Sequence, residues 1–431
     1  MKYTETLDYL YSRLPMFQRI GPVAYKADLK NVLALCEYLG NPQDKLKCIH
    51  IAGTNGKGSV SSMLAAVLQS AGYKTGLFTS PHLHDFRERI KVDGKEISRL
   101  RVQEFVEKVK PFIERHNPSF FEITVGMAFD YFAKEKVSIA VIETGLGGRL
   151  DSTNIISPEL SIITNIGWDH QNLLGDTLQK IAAEKAGIIK PRTPVVISQT
   201  SSHTEAIFKA KAQETASSIY FADQSFKVEN LTYSPSKPGL QFDISEKGQS
   251  YLNNVNLQLS GLYQQHNVKA VCQAVEILRN KAYRIPDDAI KKGLANVVDI
   301  TGLKGRWQII NKKPLTIADT GHNKEGIIEV SNHLGKLKFD HLHFVLGVVA
   351  DKELSKVFEV LPKNNVTYYF CKPDLPRGLD EKLLYEQSLE AGLKGKHYTS
   401  VKNALRAANK AAEPTDVIFI GGSTFTVAEV V

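Results

Sequence analysis

A glycine-rich segment with one lysine and one hydroxyl carries the clearest chemical signal in the chain. Its residues are, in order, Gly53, Thr54, Asn55, Gly56, Lys57, Gly58 and Ser59. The segment follows an apolar run, 48–52, and a strand, a glycine-rich turn and a helix together wrap backbone N–H groups around nucleotide phosphates. We therefore predict an ATP site in which Lys57 meets the β- and γ-phosphates and Ser59 offers its hydroxyl to Mg²⁺. The alternative is a glycine-rich turn with a solvated lysine.

The spacing inside this segment departs from the commonest phosphate-binding loop. That loop reads G-x-x-x-x-G-K-[ST], whereas here Gly58 stands between Lys57 and Ser59. The residues that follow, 60–71, carry apolar side chains at helical spacing, which predicts a helix packed against a sheet. The unusual spacing narrows the set of protein families to which such a loop can belong. The helix that follows predicts a rigid scaffold for the loop.

Length and composition predict a globular chain of two domains. With 431 residues the chain exceeds one typical core, and its 42% hydrophobic and 23% charged residues are ordinary globular values. No apolar stretch of 18 residues is present, and the first residues lack the basic and apolar parts of a signal peptide. We therefore expect a cytoplasmic protein.

Cysteine spacing and net charge argue against further classes of protein. Cys36, Cys48, Cys272 and Cys371 form no C-x-x-C pair, which disfavours a disulfide framework and a cysteine zinc site. The formal charge of +8 comes from Lys and Arg residues spread along the chain, without a basic tail or a recognisable nucleic-acid module. A small polyanionic substrate, steered into a basic cleft, explains the charge equally well. We expect no nucleic acid and no membrane among the partners.

Alternating apolar runs and amphipathic stretches predict an α/β fold. Strands are expected at 47–52, 74–78, 137–142, 160–164 and 194–198, and again, after a linker at 297–305, at 315–319, 342–347, 366–371 and 416–421. Helices are expected at 266–281, 324–336, 352–361 and 399–412. Short alternating runs at 219–260 predict a small antiparallel excursion. We thus predict a P-loop mononucleotide-binding domain with a mostly parallel sheet over 1–297, followed by a smaller, Rossmann-like α/β domain over 298–431.

Two metal-binding side chains follow candidate strands of the first domain. Glu143 directly follows the strand at 137–142, and His170 comes after the strand at 160–164. Ligands in open α/β sheets lie beyond the carboxyl ends of strands, so both are expected at the rim that carries Ser59. We predict that the three residues contribute to one metal site, whereas a lone histidine would more often be structural.

Further candidate residues stay open between two interpretations. Lys185 lies in an early turn of a predicted helix, where a lysine is normally a solvated charge. Arg306, just after the linker, could clamp a phosphate or be a surface arginine. Asp319 and His322 follow a strand and could bind ribose, phosphate or metal. The other interpretation is a helix N-cap at Asn323 with an incidental histidine.

Together, these segments resemble folylpolyglutamate synthase and dihydrofolate synthase, folate-pathway members of the Mur ligase superfamily. The resemblance runs over essentially the whole chain. The motifs that carry it are the glycine-rich segment, Thr79-Ser80-Pro81-His82-Leu83, Glu88-Arg89-Ile90, Glu143-Thr144-Gly145-Leu146-Gly147-Gly148, Asp151-Ser152-Thr153-Asn154, Asp169-His170, Glu184-Lys185-Ala186-Gly187-Ile188, Gln264-Gln265-His266-Asn267, Gly305-Arg306 and Asp319-Thr320-Gly321-His322-Asn323. No single motif decides the match.

The resemblance implies a ligase that phosphorylates a carboxylate with ATP and then lets the amino group of L-glutamate displace the phosphate. By this likeness Ser59, Glu143 and His170 hold Mg²⁺, with two ions expected, and His322 stands beside the transferred phosphate. Beyond the glycine-rich segment, the nucleotide contacts that the likeness implies are Asn267, Arg306 and Asp319.

The same likeness assigns roles to Lys185 and to the binding site of the acceptor. Lys185 matches a lysine that becomes carbamylated, which turns a cation into a carboxylate-bearing side chain able to hold a second Mg²⁺. The loop that contacts the pterin corresponds to Thr79, Ser80, Pro81 and His82. Asp151 matches a residue associated with pterin recognition in bifunctional members, and a local turn cap is its other interpretation.

We therefore predict an ATP-dependent amide ligase that adds L-glutamate to a folate-type acceptor, with both dihydropteroate and a reduced folate as substrates. Its partners are these small molecules, and a monomer is compatible with the sequence. One rival is a cell-wall Mur ligase, which the segments 79–83 and 149–154 do not favour. The other rival is a P-loop regulatory ATPase that binds partners and makes no product.

Overall fold

The computed structural model describes residues 1–24, 26–350 and 354–431. Two units can be distinguished among them. Unit 1 comprises Met1–Asn230, Phe242–Leu257 and Gln265–Leu303, and unit 2 comprises Leu231–Gln241, Gln258–Gln264 and Lys304–Val431. The predicted domain limits, 1–297 and 298–431, stay a prediction. The two units do not correspond to these limits residue for residue.

Helices and strands alternate through most of the described chain. The helices are α1 Tyr3–Arg13, α2 Phe17–Ile20, α3 Lys30–Tyr38, α4 Lys57–Ser70, α5 Arg99–His116, α6 Phe120–Glu135, α7 Gln171–Leu174, α8 Leu178–Ala186, α9 Glu205–Glu214, α10 Ala222–Ser225, α11 Gln264–Asn280, α12 Asp287–Ala295, α13 Val297–Thr301, α14 Lys324–Leu334, α15 Ser355–Phe358, α16 Glu381–Glu390, α17 Val401–Ala411 and α18 Thr424–Ala428. The strands are β1 Cys48–Ala52, β2 Thr75–Phe78, β3 Ile90–Val92, β4 Lys95–Glu96, β5 Ile139–Glu143, β6 Leu160–Ile163, β7 Val195–Ile197, β8 Ile219–Phe221, β9 Phe226–Ser234, β10 Lys237–Glu246, β11 Gln249–Leu257, β12 Gln308–Lys312, β13 Leu315–Ala318, β14 Leu342–Gly347, β15 Val366–Cys371, β16 Gly395–Tyr398 and β17 Val417–Gly421.

The main sheet of unit 1 has eight strands in the order β4-β3-β2-β5-β1-β6-β7-β8. All neighbours from β2 to β8 are parallel, and only β3 and β4 run antiparallel at one edge. Parallel strands end on the same edge, so the loops after β2, β5, β1 and β6 share one rim. This order brings the predicted acceptor loop, Glu143, the glycine-rich segment and the segment before His170 to that rim in succession.

The strand β1 and the helix α4, which flank the glycine-rich segment, are buried almost throughout. All five residues of β1 are buried, as expected for a parallel strand covered on both faces. In α4 the predicted apolar positions Val60, Leu64, Val67 and Leu68 are fully buried, and so is Ser61 between them. The sequence predicted one packed face, but the helix is covered all round. The glycine-rich segment therefore has the rigid support that we expected.

Unit 2 is built around a six-stranded sheet in the order β12-β13-β17-β14-β15-β16. Its strands are parallel except for the antiparallel pair β12–β13. Trp307, the largest fully buried side chain, precedes β12 and stacks on His333 at a ring-centroid distance of 3.7 Å. Asp319 directly follows β13, which places it at the carboxyl rim of this second sheet.

The predicted antiparallel excursion corresponds to a three-stranded sheet in the order β11-β10-β9. Two residues connect β9 to β10 and two connect β10 to β11. A connection of two residues can join antiparallel neighbours, whereas parallel neighbours need a dozen residues or more. The excursion at 219–260 is therefore confirmed in type, and it begins with β8, which belongs to the main sheet.

Strands at or next to the edges of the sheets escaped the sequence prediction. The strands that no prediction covered are β3, β4, β12 and β16. β4 is only Lys95–Glu96, and β16 reads Gly-Lys-His-Tyr, so neither carries the alternation of apolar residues that marks a strand. The predicted linker at 297–305 begins with the helix α13, Val297–Thr301, in which Val297 and Thr301 are buried.

The predicted helix at 352–361 falls partly on residues 352 and 353, which lie outside the described residues. Within its described part, only Ser355–Phe358 form a helix. The other three predicted helices correspond to α11, α14 and α17. In the part of the chain that the structure describes, no helix is both long and apolar enough to cross a membrane.

The contact between α12 and α4 yields a test of how firmly the phosphate loop is supported. A Cβ added at Gly293 of α12 would lie 2.6 Å from the Cα and the N of Val67, which are backbone atoms of α4. We expect Gly293→Ala to force the two helices apart and to lower the free energy of unfolding by about 1–3 kcal/mol. Urea-induced unfolding, followed by far-UV circular dichroism, measures the change.

The matched control is Lys292→Ala, which removes an exposed side chain from the preceding position of α12. Its effect should stay within about 0.5 kcal/mol, as for most surface substitutions. Equal unfolding midpoints for wild type and Gly293→Ala would contradict the close helix contact.

Candidate active site

Two glycines of the phosphate loop occupy backbone positions that a side chain would block. Gly53 has φ of 149° and Gly56 has φ of 85°, where Gly56 is the residue before the first turn of α4. A Cβ at Gly53 would collide with the hydroxyl of Thr164, and one at Gly56 would collide with the side-chain oxygen of Asn267. The predicted nucleotide residues Gly56 and Asn267 are thus neighbours in unit 1.

The segment after β6 holds the phosphate loop in place. The N–H of Thr54 donates to the backbone carbonyl of Asn165 at 2.9 Å, and the N–H of Asn55 donates to the side-chain oxygen of Asn165 at 2.8 Å. The hydroxyl of Thr54 accepts from the N–H of Gly167 at 3.0 Å. Sequence reasoning did not assign Thr164 or Asn165 a role, although their position directly after a strand next to β1 was a usable signal.

The lysine and the serine of the loop lie at the start of α4. Lys57 is the first residue of the helix, and its Nζ donates to the carbonyls of Gly53 at 3.0 Å and Thr54 at 3.1 Å. Ser59 is fully buried in the first turn. The N-terminus of a helix with a lysine beside it is a favourable place for phosphate oxygens.

Lys185 is the second lysine that reaches this loop. It lies in the last turn of α8, its exposed fraction is 3%, and its Nζ donates to the carbonyl of Gly53 at 2.9 Å. Burial, together with the nearby charge of Lys57, lowers the pKa of Lys185 to about 7. The interpretation of Lys185 as a solvated charge in an early helical turn is therefore wrong.

Glu143 connects the rim of the sheet to the predicted acceptor loop. It is the last residue of β5, pairs with Ile51 of β1, and is buried. Its Oε2 accepts a hydrogen bond from the backbone N–H of Ser80 at 3.1 Å. One of the predicted metal ligands thus touches the loop assigned to the acceptor.

His170 lies on the segment after β6, at the same rim. Its φ of 51° is a left-handed conformation, and its backbone N–H donates to Asp169 Oδ1 at 3.0 Å. The ring stands edge-on to Phe17 with a centroid distance of 5.6 Å. Within the described residues no group of three or more His, Cys, Asp and Glu side chains could hold a metal. The predicted set contains only two such residues, Glu143 and His170, so its role as a metal site stays a prediction.

The predicted acceptor loop is fastened by the motif Glu88-Arg89. The carboxylate of Glu88 accepts from three successive backbone N–H groups, at distances between 2.7 and 2.9 Å, which belong to Leu83, His84 and Asp85. The backbone N–H of Thr79 donates to the carbonyl of Arg89 at 3.0 Å. The loop that contains Thr79, Ser80, Pro81 and His82 is therefore held at both ends.

Arg89 also orients His82. Its Nε donates to His82 Nδ1 at 2.7 Å, while its guanidinium lies 5.4 Å from the ring centroid of Phe120. Burial and the charge of Arg89 hold the pKa of His82 well below its usual value. Because Nδ1 accepts a hydrogen bond, the neutral ring carries its hydrogen on Nε2. The sequence marked this motif as part of the family pattern without a role.

Asp151 is engaged inside its own loop. One carboxylate oxygen accepts from the N–H groups of Gly145 at 2.9 Å and Leu146 at 2.8 Å. The other accepts from the N–H of Thr153 at 3.0 Å and from its hydroxyl at 2.5 Å. Burial raises the pKa of Asp151. A carboxylate offers about four acceptor positions. The structure thus supports the turn-cap interpretation, and pterin recognition by Asp151 stays an untested prediction.

In unit 2, Asp319 is held by three hydrogen bonds. Its Oδ2 accepts from the hydroxyl of Tyr263 and from the N–H of Trp307, and its Oδ1 accepts from the N–H of Gly321, each at 2.7 Å. Burial raises the pKa values of both Asp319 and Tyr263. No local pattern pointed to Tyr263, which lies 56 residues away from Asp319 in the sequence.

The residues after Asp319 form a short, tightly bonded turn. The Arg306 guanidinium donates to the hydroxyl of Thr320 and to the carbonyl of Gly305. His322 Nδ1 lies 2.9 Å from the carbonyl of Thr320, so this nitrogen carries the ring hydrogen if the ring is neutral. The side chain of Asn323 accepts from the N–H of Gly326 and caps α14. The predicted N-cap is confirmed. Arg306, Asp319 and His322 all belong to unit 2 and lie near one another in its sequence.

Comparison with known proteins places the two halves of the chain in one family. Residues 51–275 match the Mur ligase middle domain, and residues 305–424 match the glutamate ligase domain of Mur ligases. A relative from Bacillus subtilis, named dihydrofolate synthase/folylpolyglutamate synthase, is 33% identical over 90% of this chain and 89% of its own length.

A second relative and a solved structure agree with this assignment. A probable bifunctional folylpolyglutamate synthase/dihydropteroate synthase from Haloferax volcanii is 31% identical over the whole chain, which spans 50% of that longer protein. The structure of Escherichia coli FolC in complex with DHPP and ADP matches with a TM-score of 0.84 and 26% identity, and covers 100% of this chain and 97% of its own. The chain therefore belongs to the Mur ligase family, among the folylpolyglutamate synthases and dihydrofolate synthases.

Proposed function

We propose that this protein is an ATP-dependent ligase that adds L-glutamate to a folate-type acceptor through an acyl phosphate. The observation that carries the proposal is that the Nζ atoms of Lys57 and Lys185 both donate to the carbonyl of Gly53. This carbonyl belongs to the loop that leads into the N-terminus of α4. The ammonium of Lys57 and the N–H groups at that helix N-terminus suit the polyphosphate of ATP, and the buried amine of Lys185 lies beside the same carbonyl. Both relatives described above carry folylpolyglutamate synthase in their names.

The chemistry consists of two transfers. An oxygen of the acceptor carboxylate attacks the γ-phosphorus of ATP, the bond to the bridging oxygen breaks, and ADP leaves. The amino nitrogen of L-glutamate then attacks the acyl carbon, phosphate leaves with the carboxylate oxygen, and the nitrogen loses a proton. A carboxylate alone has no adequate leaving group, whereas an acyl phosphate releases phosphate. The charge of Lys57 offsets the repulsion as the two anions approach.

The nucleotide contacts that we propose lie in both units of the chain. In unit 1, the N–H groups of the phosphate loop and Lys57 bind the phosphates, and Asn267, whose side chain abuts Gly56, completes that end. In unit 2, we assign nucleotide contacts to Arg306 and Asp319. The hydrogen bonds of Asp319 to Tyr263 and Trp307 make it a rigid carboxylate. We assign His322 to the transferred phosphate.

Mg²⁺ is the metal that the family implies, and the donor set in unit 1 fits it in part. The carboxylate of Glu143 and the hydroxyl of Ser59 are hard oxygen ligands at the ends of the neighbouring elements β5 and α4. The imidazole of His170, on the next loop of the rim, is a less usual donor for this ion. When bound, the metal would neutralise negative charge on the phosphate oxygens.

Lys185 is the residue that we propose to be carbamylated. Its amine reacts with CO₂ only when neutral, and forms a carbamate as one proton is released. A buried lysine whose pKa is about 7 is half neutral near physiological pH, whereas an exposed lysine is almost fully protonated. The carbamate would replace a cation by an anion beside the phosphate loop, and would be a ligand for a second Mg²⁺.

The acceptor is proposed to bind at the loop 79–83, where His82 presents its Nε2 hydrogen. We propose both dihydropteroate and reduced folate as acceptors, as in the relative named dihydrofolate synthase/folylpolyglutamate synthase. A cell-wall Mur ligase and a regulatory ATPase remain the rivals, and each predicts no glutamate addition to a pterin acceptor. All four cysteines are free and buried, which is compatible with the reducing cytoplasm that we propose as its location.

Removal of the Lys57 ammonium should stop ligation without unfolding the protein. Lys57 is only partly buried and its ammonium bonds to loop carbonyls, so it contributes little to the core. We expect Lys57→Ala to lower kcat by a factor of about 10² to 10³ because one preorganised charge is lost from phosphoryl transfer. Glutamate-dependent ADP formation measures the effect, with dihydropteroate and a reduced folate in separate reactions.

Lys45→Ala is the control for this variant, since Lys45 is exposed and lies before β1, at the other end of that strand. It should retain wild-type turnover, and both variants should keep the wild-type unfolding midpoint. Near-normal kcat in Lys57→Ala would refute the phosphate-loop assignment. A wild type that hydrolyses ATP without forming a glutamyl product would refute the ligase itself.

The carbamate at Lys185 predicts a pH dependence with a defined sign. The protonated amine prevails below a pH of about 7, so carbamylation and ligation should both fall as the pH falls through this value. Lys185→Ala should be nearly inactive, and short carboxylic acids should restore part of the activity. ¹³C NMR of protein equilibrated with ¹³C-bicarbonate, ATP and Mg²⁺ should show a carbamate resonance.

Lys180→Ala provides the matched control, because Lys180 lies on the same helix α8 and has a side chain that is 62% exposed. The carbamate resonance should persist in Lys180→Ala and disappear in Lys185→Ala. If wild type and Lys185→Ala give the same spectrum, Lys185 is not carbamylated, and the ligase proposal stands on the other residues.

A further inference from the structure

A buried chain of hydrogen bonds leads from the centre of β1 to the loop after β5. His50, in the middle of β1, has its ring Nε2 at 2.8 Å from the hydroxyl oxygen of Thr153. That hydroxyl lies 2.5 Å from Asp151 Oδ1. His50 and Thr153 are completely buried, and Asp151 nearly so. None of the roles assigned above uses His50 or Thr153.

The direction of each hydrogen bond in this chain follows from the chemistry of the groups. An ionised carboxylate only accepts, so the hydroxyl of Thr153 donates to Asp151. The same hydroxyl oxygen then accepts from His50, whose ring hydrogen must be on Nε2. Burial lowers the pKa of His50 to about 3, so the ring is neutral and keeps this tautomer.

The far end of the chain of hydrogen bonds fixes the loop 144–149. Asp151 Oδ2 accepts from the backbone N–H groups of Gly145 and Leu146, the second and third residues after Glu143. Each oxygen of Asp151 therefore holds a different element, one the loop and one the turn at Thr153. The backbone that follows Glu143 is thus linked to β1, the strand before the phosphate loop, through the side chains of Asp151, Thr153 and His50.

The same segment is also fastened to the helix that carries Lys185. Asn154 Nδ2 donates at 3.0 Å to the carbonyls of Arg149 and of Gly187, which follows α8. A Cβ at Gly148 would lie 2.8 Å from the carbonyl of Glu184 and 3.0 Å from Lys185 Cα. The loop therefore rests directly on the backbone of Lys185.

We infer that His50 and Thr153 are positioning residues, which set the distance between Glu143 and Lys185 by holding the loop 144–149 against α8. They touch no substrate in this scheme and act through Asp151. The inference rests on the proposed function, because it explains what keeps Glu143, assigned to metal binding, and Lys185, assigned to carbamylation, at a fixed distance.

The cost of burying these polar groups argues that they are more than core filling. The other residues of β1 are apolar, and an apolar residue at position 50 would satisfy a doubly covered parallel strand. A buried imidazole and a buried carboxylate each need hydrogen-bond partners to offset the loss of water. His50 is bonded through Nε2 alone, because its Nδ1 has no hydrogen-bond partner among the described residues, whereas both oxygens of Asp151 are engaged. Hydrogen bonds between buried groups of this kind restrict their surroundings to one arrangement.

Replacing the hydroxyl of Thr153 tests the inference with little change in shape. Thr153→Val leaves His50 without an acceptor and should release the loop, which we expect to lower kcat by about 10²-fold, as for a displacement of about 1 Å. The KM for ATP should stay nearly constant, because the phosphate loop keeps its bonds to Asn165. The loss should be equal with dihydropteroate and with reduced folate, whereas a residue that reads the pterin would discriminate between them.

Two conservative variants, one apolar variant and one control complete the experiment. Thr153→Ser restores the hydroxyl and should recover most of kcat, and His50→Gln keeps an N–H donor and should lose less activity than His50→Leu. Thr75→Val removes another fully buried hydroxyl, which donates to the Tyr73 carbonyl at the other end of a strand of the same sheet, and should retain full turnover. Unfolding midpoints identify variants that fail to fold.

The outcomes separate this inference from the proposed function. If folded Thr153→Val retains wild-type kcat, or if Thr75→Val loses as much, the positioning role is wrong while the ligase remains. If Thr153→Val loses only the dihydropteroate reaction, the segment reads the acceptor and the positioning role is again wrong. If wild type forms no glutamyl product from either acceptor, the proposed function has failed.

Discussion

Two lysine ammonium groups donate to one backbone carbonyl, that of Gly53, and this shared contact constrains the rest of unit 1. Lys57 and Lys185 reach it from α4 and from α8, two helices far apart in the sequence. Burial disfavours the charged form of Lys185 and the nearby charge of Lys57 adds to the effect, which is why the pKa of Lys185 falls to about 7. Phosphate groups beside the loop, or conversion of Lys185 into an anion, would each offset the repulsion. The fold therefore places positive charge at a point where an anion is needed to offset the repulsion.

The sheet order explains how residues from distant segments meet around that carbonyl. The order β2-β5-β1-β6 brings the loops after these strands to one rim, and each is bonded to a neighbour. Ser80 bonds to Glu143, Thr54 bonds to Asn165, and the loop after Glu143 is held against α8. A loop at this rim therefore cannot shift without disturbing the next one, which is the rigidity that phosphoryl transfer needs.

The sequence predicted the parts whose signals are local. Buried parallel strands are continuous apolar runs, so β1, β5, β6 and β14 were found within one or two residues. The phosphate loop was predicted from its glycines, its lysine and its place between a strand and a helix, and Gly53 and Gly56 adopt positive φ where a side chain would collide. Edge strands such as β4 and β16 were missed because their residues are charged or exposed and carry no such pattern.

Contacts between residues far apart in the chain leave little trace in a single sequence. The burial of Lys185 and the bond from Tyr263 to Asp319 depend on which elements the fold brings together. A helix that reads Ala182-Ala183-Glu184-Lys185-Ala186 did contain a hint, since small residues around a lysine allow close packing. Asp151 shows the opposite case, in which a residue with a proposed substrate contact has its carboxylate engaged within its own turn.

Transfer of an oxygen atom from the acceptor to phosphate tests the central claim most directly. Dihydropteroate with ¹⁸O in its carboxylate would be incubated with the protein, ATP, Mg²⁺ and L-glutamate, and the released phosphate would be analysed by mass spectrometry. An acyl phosphate requires that one carboxylate oxygen leaves with phosphate, so each amide bond formed should yield one ¹⁸O-labelled phosphate. Phosphate without ¹⁸O, or label found in AMP, would contradict the ligase that we describe.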